Sequence, residues 1–219
     1  FKQKTAYEIM PSLVGSEMCI RDRNIVARAQ GIITKPKDEW VKIKEEPSNI
    51  TTLFTSYAII LAAIPALASF IGRAFVGYSA PFVGWIRWGI GRALIYAIFS
   101  YILSLLGVYV IGLIIYFLAP SFSSKKDNIQ AMKLAVYSMT PAWVAGVLNI
   151  IPLLSFLVII ASLYGLYLLY LGLNTPLLDT PKDKVLTYFI VIAVVSIVVL
   201  VILEVILGSI FAASYVAKI

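Results

Sequence analysis

The chain has 219 residues, 61% of them hydrophobic and only 13% charged, with a net charge of +7 and a mean hydropathy of +0.93. Soluble domains are nearer half apolar and a quarter charged, so a soluble enzyme, a disordered chain and a disulfide scaffold are excluded. Histidine is absent and cysteine occurs once, which removes His-based catalytic triads, His-ligated zinc and any disulfide within one chain.

Residues 1–23, FKQKTAYEIMPSLVGSEMCIRDR, are set aside before structure is read. Lys2 to Ile9 and Leu13 to Arg23 resemble successive parts of a translated sequencing-library adapter, with Met10, Pro11 and Ser12 where its variable index falls. The expectation is that this stretch is non-native, that Cys19 goes with it, and that the protein's own first residues before Asn24 are lost. Residues 24–49 then form a polar lead segment. Pro36 suits a first helical turn, and Asp38 and Glu39 favour its positive dipole end. Trp40, Val41 and Ile43 are expected to face membrane or bundle while Lys42 and Lys44 stay wet. One or two short amphipathic helices on the cytoplasmic face follow from this, with a solvated linker as the alternative. Asp38/Glu39 and Glu45/Glu46 read as solvated helix-end charges.

Residues 50–219 divide into membrane spans of about 20 apolar residues each. The first runs from Ile50 to Ile71 and contains Pro65, which neighbouring helices can accommodate in lipid. The second begins at Ala93 and ends at Pro120. The charge-free stretch from Leu134 to Leu178 is too long for one span and breaks at Asn149-Ile-Ile-Pro152, because asparagine can close a helix and proline disfavours helix before it. The third span is thus Met132–Leu148 and the fourth Leu153–Leu173. The fifth starts at Val185 and is interrupted by Glu204. The fold class is an all-α integral membrane protein, a bundle of five transmembrane helices. Continuous apolar runs, without alternation, exclude a β-barrel. Ten lysines and arginines fall on the N-terminal side (Arg28, Lys35, Lys37, Lys42 and Lys44 before the first span, Lys125, Lys126 and Lys133 in the second loop, Lys182 and Lys184 in the fourth) and four (Arg73, Arg87, Arg92, Lys218) on the other. That asymmetry predicts a cytoplasmic N-terminus and an outside C-terminus.

Residues 73–92 mix Phe75, Tyr78, Phe82, Trp85 and Trp88 with arginines, glycines and a proline. Two readings stand: an interfacial or re-entrant segment on the outer side, or a broken extension of the second span. Glu204 is the sharpest candidate residue, as an ionisable group in a span. It lies 19 steps from Val185, about 28 Å, which sets it at the outer boundary of a core about 30 Å thick. There it pairs with Arg73, Arg87 or Arg92 or snorkels to water, unless it serves an ion or proton. Pro141 should kink the third span, and a kink beside Asn149 and Pro152 is where a polar cleft would open. The four-apart pairs Ala142/Gly146, Ala161/Gly165 and Gly208/Ala212 suit internal helix packing or an oligomer interface. Tyr164, Tyr167 and Tyr170 read as interface anchors or bundle hydrogen-bonders.

No pair of acids has reason to converge on an apolar pocket, no phosphate-cradling glycine motif is present, and no histidine is there to activate a serine. The runs GIITKPKDEWVKIKEE, AMKLAVYSMTPAWVAGVLNIIP and LVIIASLYGLYLLYLGLNTPLLDTPKDKVL together resemble the Yip domain family of five-span membrane proteins. Eukaryotic members interact with Rab-type GTPases in membrane traffic, whereas prokaryotic members have no settled activity. The Asp-Leu-Tyr-Gly-Pro motif typical of eukaryotic members is missing, so the resemblance implies a prokaryotic-type member in the cytoplasmic membrane. The expected function is a non-enzymatic membrane-organisation or protein-interaction factor, with a small transporter or channel subunit as the alternative. No cofactor, metal or nucleic acid is expected. The expected partners are the lipid bilayer, a membrane or cytoplasmic protein, and a second copy of the chain.

Overall fold

The computed structural model describes residues 25–80, 84–175 and 177–216. The adapter-like residues 1–23, with Cys19, lie outside the described residues, as do Asn24, Phe82 and Lys218. The chain begins with two short helices, α1 (Ile25–Thr34) and α2 (Pro36–Glu45), separated by Lys35. Five helices long and apolar enough to cross a membrane follow: α3 (Ile50–Val76), α4 (Ile90–Phe122), α5 (Asn128–Ile150), α6 (Ser155–Asn174) and α7, which runs from Lys182 to Val216. The protein is an all-α integral membrane protein with five spans. Between α3 and α4 a short antiparallel hairpin pairs β1 (Tyr78–Ala80) with β2 (Gly84–Ile86). The segment 73–92 is therefore divided between the π-helical turn Gly72–Val76 that ends α3, the hairpin strands, and the first turn of α4, which starts three residues before Ala93. The hairpin and the lead segment mark the two ends of the bundle, here the hairpin face and the lead face.

Local chemistry sets the helix starts. The Asn49 side chain accepts from the Thr51 N–H at 3.0 Å, and Asp127 accepts from Ile129 and Gln130 at 3.0 and 3.1 Å, so each satisfies N–H groups that the first turn leaves open. Pro141 has no N–H to continue α5. The helix breaks at Met139 into Asn128–Ser138 and Thr140–Ala145, and ends in a 3₁₀ turn over Gly146–Ile150.

Helix α5 organises the bundle. It is the least apolar of the five spans, and 67% of its most apolar stretch is buried, against 22% to 33% in the others. Its first half packs on α4 and α6, its second half on α3 and α6. Lipid cannot solvate the polar groups it carries; surrounding helices can. Thr140 Oγ1 meets the Tyr57 hydroxyl at 2.9 Å in a buried contact. Small residues permit the close approach that lipid-embedded packing requires. A Cβ on Gly146 would come 2.5 Å from Pro65, and one on Gly165 would come 2.6 Å from the Ser138 carbonyl oxygen. Gly208 faces nothing within 4 Å and takes no part in this packing.

The lead segment is docked into the bundle. Trp40 is fully buried, edge-on to Tyr137 of α5, and over Gly172 of α6, where an added Cβ would strike both Trp40 and Leu134. Ile43 is buried beside it, while Val41 is exposed. Lys133, assigned above to a loop, is instead 2% exposed within α5. Its Nζ donates to the Ile43 and Glu46 carbonyl oxygens, each at 2.6 Å, and so caps the C-terminal end of α2. Glu39 and Glu46 are not freely solvated charges. The fold-back at Lys35 brings Arg28 onto both, at 2.7 Å from Glu39 Oε1, and Gly31 leaves room for the Glu39 carboxylate. The Tyr164 hydroxyl donates to the Ile33 carbonyl at 2.7 Å, which ties α6 to α1.

Replacing Trp40 by alanine should cost about 3–5 kcal/mol through lost burial and the void left behind. Lys133→Met should cost about 1–3 kcal/mol for each carbonyl it leaves unpaired. Limited proteolysis in detergent should show earlier cleavage between residues 25 and 46 in both variants, with the spans still protected.

Candidate functional site

The break in α5 opens the hairpin half of the bundle. After Met139 the helix leaves α4 and leans on α3, where Gly146 meets Pro65 and the Asn149 carbonyl fills the place of a Gly72 side chain. The withdrawn helix leaves a cavity of about 1200 Å³ walled by α3, α4, α6, α7 and the second half of α5. Trp143 reaches across it and donates from Nε1 to the Ser104 hydroxyl at 3.3 Å.

The walls are mixed. Ser69, Ser100 and Ser162 donate to carbonyls one turn back in their own helices (Ala66, Ala97 and Val158) at 2.8 to 2.9 Å, and Tyr101 donates to Ile59 at 3.1 Å. Their oxygens keep accepting capacity toward the cavity. Two charged residues also line it, Arg73 from α3 and Glu204 from α7. The Arg73 guanidinium carbon lies 3.6 Å from the Tyr96 ring centre and 5.2 Å from that of Trp88. Such stacking suits a cation partly removed from water. Its Nη1 is buried without a hydrogen-bond partner. Leu153 and Phe156 of the cavity wall are exposed on the outside of the bundle, at 82% and 55%, and Glu204 is exposed beside them on α7. The mouth is thus bordered by apolar side chains that face the membrane.

The residues singled out from sequence fall into separate places. Trp40 belongs to the lead-face core. Pro141 is buried at the break, Asn149 lines the cavity, and Pro152 opens a 3₁₀ turn over Pro152–Leu154. Glu204 is joined to none of the three arginines expected for it, Arg73 included. Arg87 donates to the Ala74 carbonyl at 3.3 Å, and Arg92 donates to the Phe211 carbonyl and stacks on Trp88 at 4.5 Å. Phe211 is seven residues past Glu204, about 10 Å along a helix. Glu204 therefore lies deeper than the level of Arg92, and no ion pair forms between them. Among the described residues, no three acids or cysteines gather as a metal site.

Tyr96, Ser104 and Trp143 were not among the residues selected from sequence, and Arg73 was selected only as one possible partner of Glu204. Arg73 carried a readable signal, since it directly ends an apolar run and opens an aromatic-rich segment. The other three gave none, because hydroxyls and aromatics are common along every span.

A five-span bundle with a docked amphipathic lead, a proline-broken central helix and a cavity at one end defines a class of small polytopic membrane protein. Residues 31–203 match the Yip1 domain, and the chain belongs to that family. It is similar to the inner membrane protein YohC of Escherichia coli strain K12, 29% identical over 163 residues that cover 72% of this chain and 82% of the relative. The YohC protein of strain O6:H1 (CFT073) is similar to the same extent. No solved structure matches the chain.

The absence of an ion pair at Glu204 has a measurable consequence. Glu204→Gln and Arg92→Gln should act additively on thermal stability in detergent, within about 0.5 kcal/mol; a larger coupling in the double-mutant cycle would place the two side chains in contact.

Proposed function

We propose that this chain is a non-enzymatic membrane-organising factor of a prokaryotic cytoplasmic membrane, acting by holding a membrane component in the hairpin-face cavity. The single observation that carries the reading is the one-sidedness of the bundle. The hairpin half holds about 1200 Å³ of cavity, whereas the lead half is filled by Trp40, Ile43, Tyr57 and Tyr137, each no more than 8% exposed. A cavity sealed at one end suits holding better than passage. The cavity also offers no histidine or lysine to activate its serines, which supports a role without bond making. The excess of lysine and arginine on the lead face supports a cytoplasmic N-terminus and an outside C-terminus, and similarity to an inner membrane protein of Escherichia coli supports the inner membrane. The partners of this reading are the bilayer, a membrane or cytoplasmic protein and a second copy of the chain.

The serine and tyrosine lining favours a second reading, a small transporter whose lead end opens in another state. Liposomes separate the two. Carrying the purified protein, they should leak ions and amino acids no faster than protein-free liposomes. Protein-dependent flux, abolished by filling the cavity with Ala142→Trp, would replace the first reading with the second.

A further inference from the structure

The geometry points to the hairpin-face cavity as a seat for the headgroup of a phospholipid that carries both a phosphate and a primary ammonium, with its acyl chains leaving past the exposed Leu153 and Phe156 at the cavity's edge. This deepens the holding role proposed above and rests on it. Three observations converge. The first is a cation with spare capacity: Arg73 stacks on Tyr96 at 3.6 Å, and its Nη1 is buried without a partner. A guanidinium is built to take a phosphate by paired hydrogen bonds.

The second is an anion on another wall of the same cavity. Glu204 lines the same cavity yet forms no ion pair or hydrogen bond with any described residue. An ionisable side chain within a span and without a partner is costly unless something meets it. A ligand with a phosphate alone would leave Glu204 unmet and would be repelled by it. A ligand with an amine alone would do the same to Arg73. A headgroup bearing both charges satisfies both residues, and the nearby hydroxyl oxygens can accept the remaining ammonium protons.

The third observation concerns the source. The same phosphate-plus-ammonium chemistry exists in soluble esters, but those would not need an apolar doorway. Here the mouth is bordered by exposed Leu153 and Phe156, 82% and 55% accessible, and the outer surface of α7 around Glu204 continues with exposed Val201 and Val205. These are surfaces for acyl chains. The polar part of the ligand sits inside the bundle and the apolar part stays in the membrane.

The test equilibrates the full chain with vesicles of equimolar phosphatidylethanolamine, phosphatidylcholine and phosphatidylglycerol, extracts it gently, and measures bound lipid per protein by mass spectrometry. The ethanolamine lipid should be retained about tenfold over the other two, the scale of one charge-assisted contact. Glu204→Gln should lower its retention to that of the choline lipid. Arg73→Gln should lower retention of all three by about tenfold, and Arg73→Lys should restore part of it. Glu204 is exposed, so its variant carries the test even if Arg73→Gln does not fold. Equal retention of the three lipids by the wild type, or a preference untouched by Glu204→Gln, would overturn the proposal. Displacement of the lipid by glycerophosphoethanolamine at equal concentration would overturn the lipid source and assign the seat to a soluble ester. The liposome flux measurement stays independent: flux would defeat the holding role, whereas lost lipid preference without flux would defeat only this ligand.

Discussion

The constraint behind this structure is that its least apolar span cannot face lipid. Helix α5 carries Lys133 and Thr140, each no more than 2% exposed, and a bilayer offers them no hydrogen bonds. The only shelter is protein, so α3, α4 and α6 gather around α5, and α7 packs outside it on α4 and α6. The exposed residues of α7, among them Ile190, Val194, Ile197, Val201 and Val205, are what that outer position looks like on the longest helix. The bundle is thus sorted by polarity, with the usual pattern of a soluble protein turned inside out on its periphery and kept at its centre.

The same helix gives the molecule two unlike ends. Before Met139, α5 is a regular helix and its lysine reaches the end of α2, so the lead face closes. After Met139, Pro141 has redirected it onto α3 and the hairpin face is left hollow. Glycines decide how far the redirection goes. Gly72 and Gly146 have no side chains to hold α3 and α5 apart, and the gap closed on that side opens as cavity on the other, where Trp143 reaches across to Ser104. Cavity and seal are two results of one interruption in one helix.

Much of the architecture was legible in the sequence because hydropathy over 20 residues is a strong and local signal. The five spans, the break near Asn149 and the effect of Pro141 needed no knowledge of neighbours. What failed was what depends on neighbours. Lys133 reads as a loop charge because nothing local announces that the end of α2 will meet it. Glu39 reads as solvated because Arg28 reaches it only once the chain folds back at Lys35. Glu204 reads as the partner of an arginine because the arginines share its side of the bundle, but Arg92 reaches the Phe211 carbonyl, two turns further along the same helix. The aromatic segment before α4 folds as a hairpin, where composition left two readings open, because β pairing of three residues is too short to leave a periodic signature. Arg73 was visible as a charge, but its isolation inside a cavity is a property of five elements together.

The seat of Trp40 is built from Tyr137 on α5 and Gly172 on α6, more than ninety residues downstream in the sequence. During synthesis the lead helices emerge before the spans, and their site of attachment is completed only with the fourth of them. They must therefore wait outside the bundle, with a large indole unburied, until that span has been threaded. Their arrival is a late checkpoint in biogenesis: a chain that has inserted its spans in the wrong order has nowhere to stow the segment that precedes them.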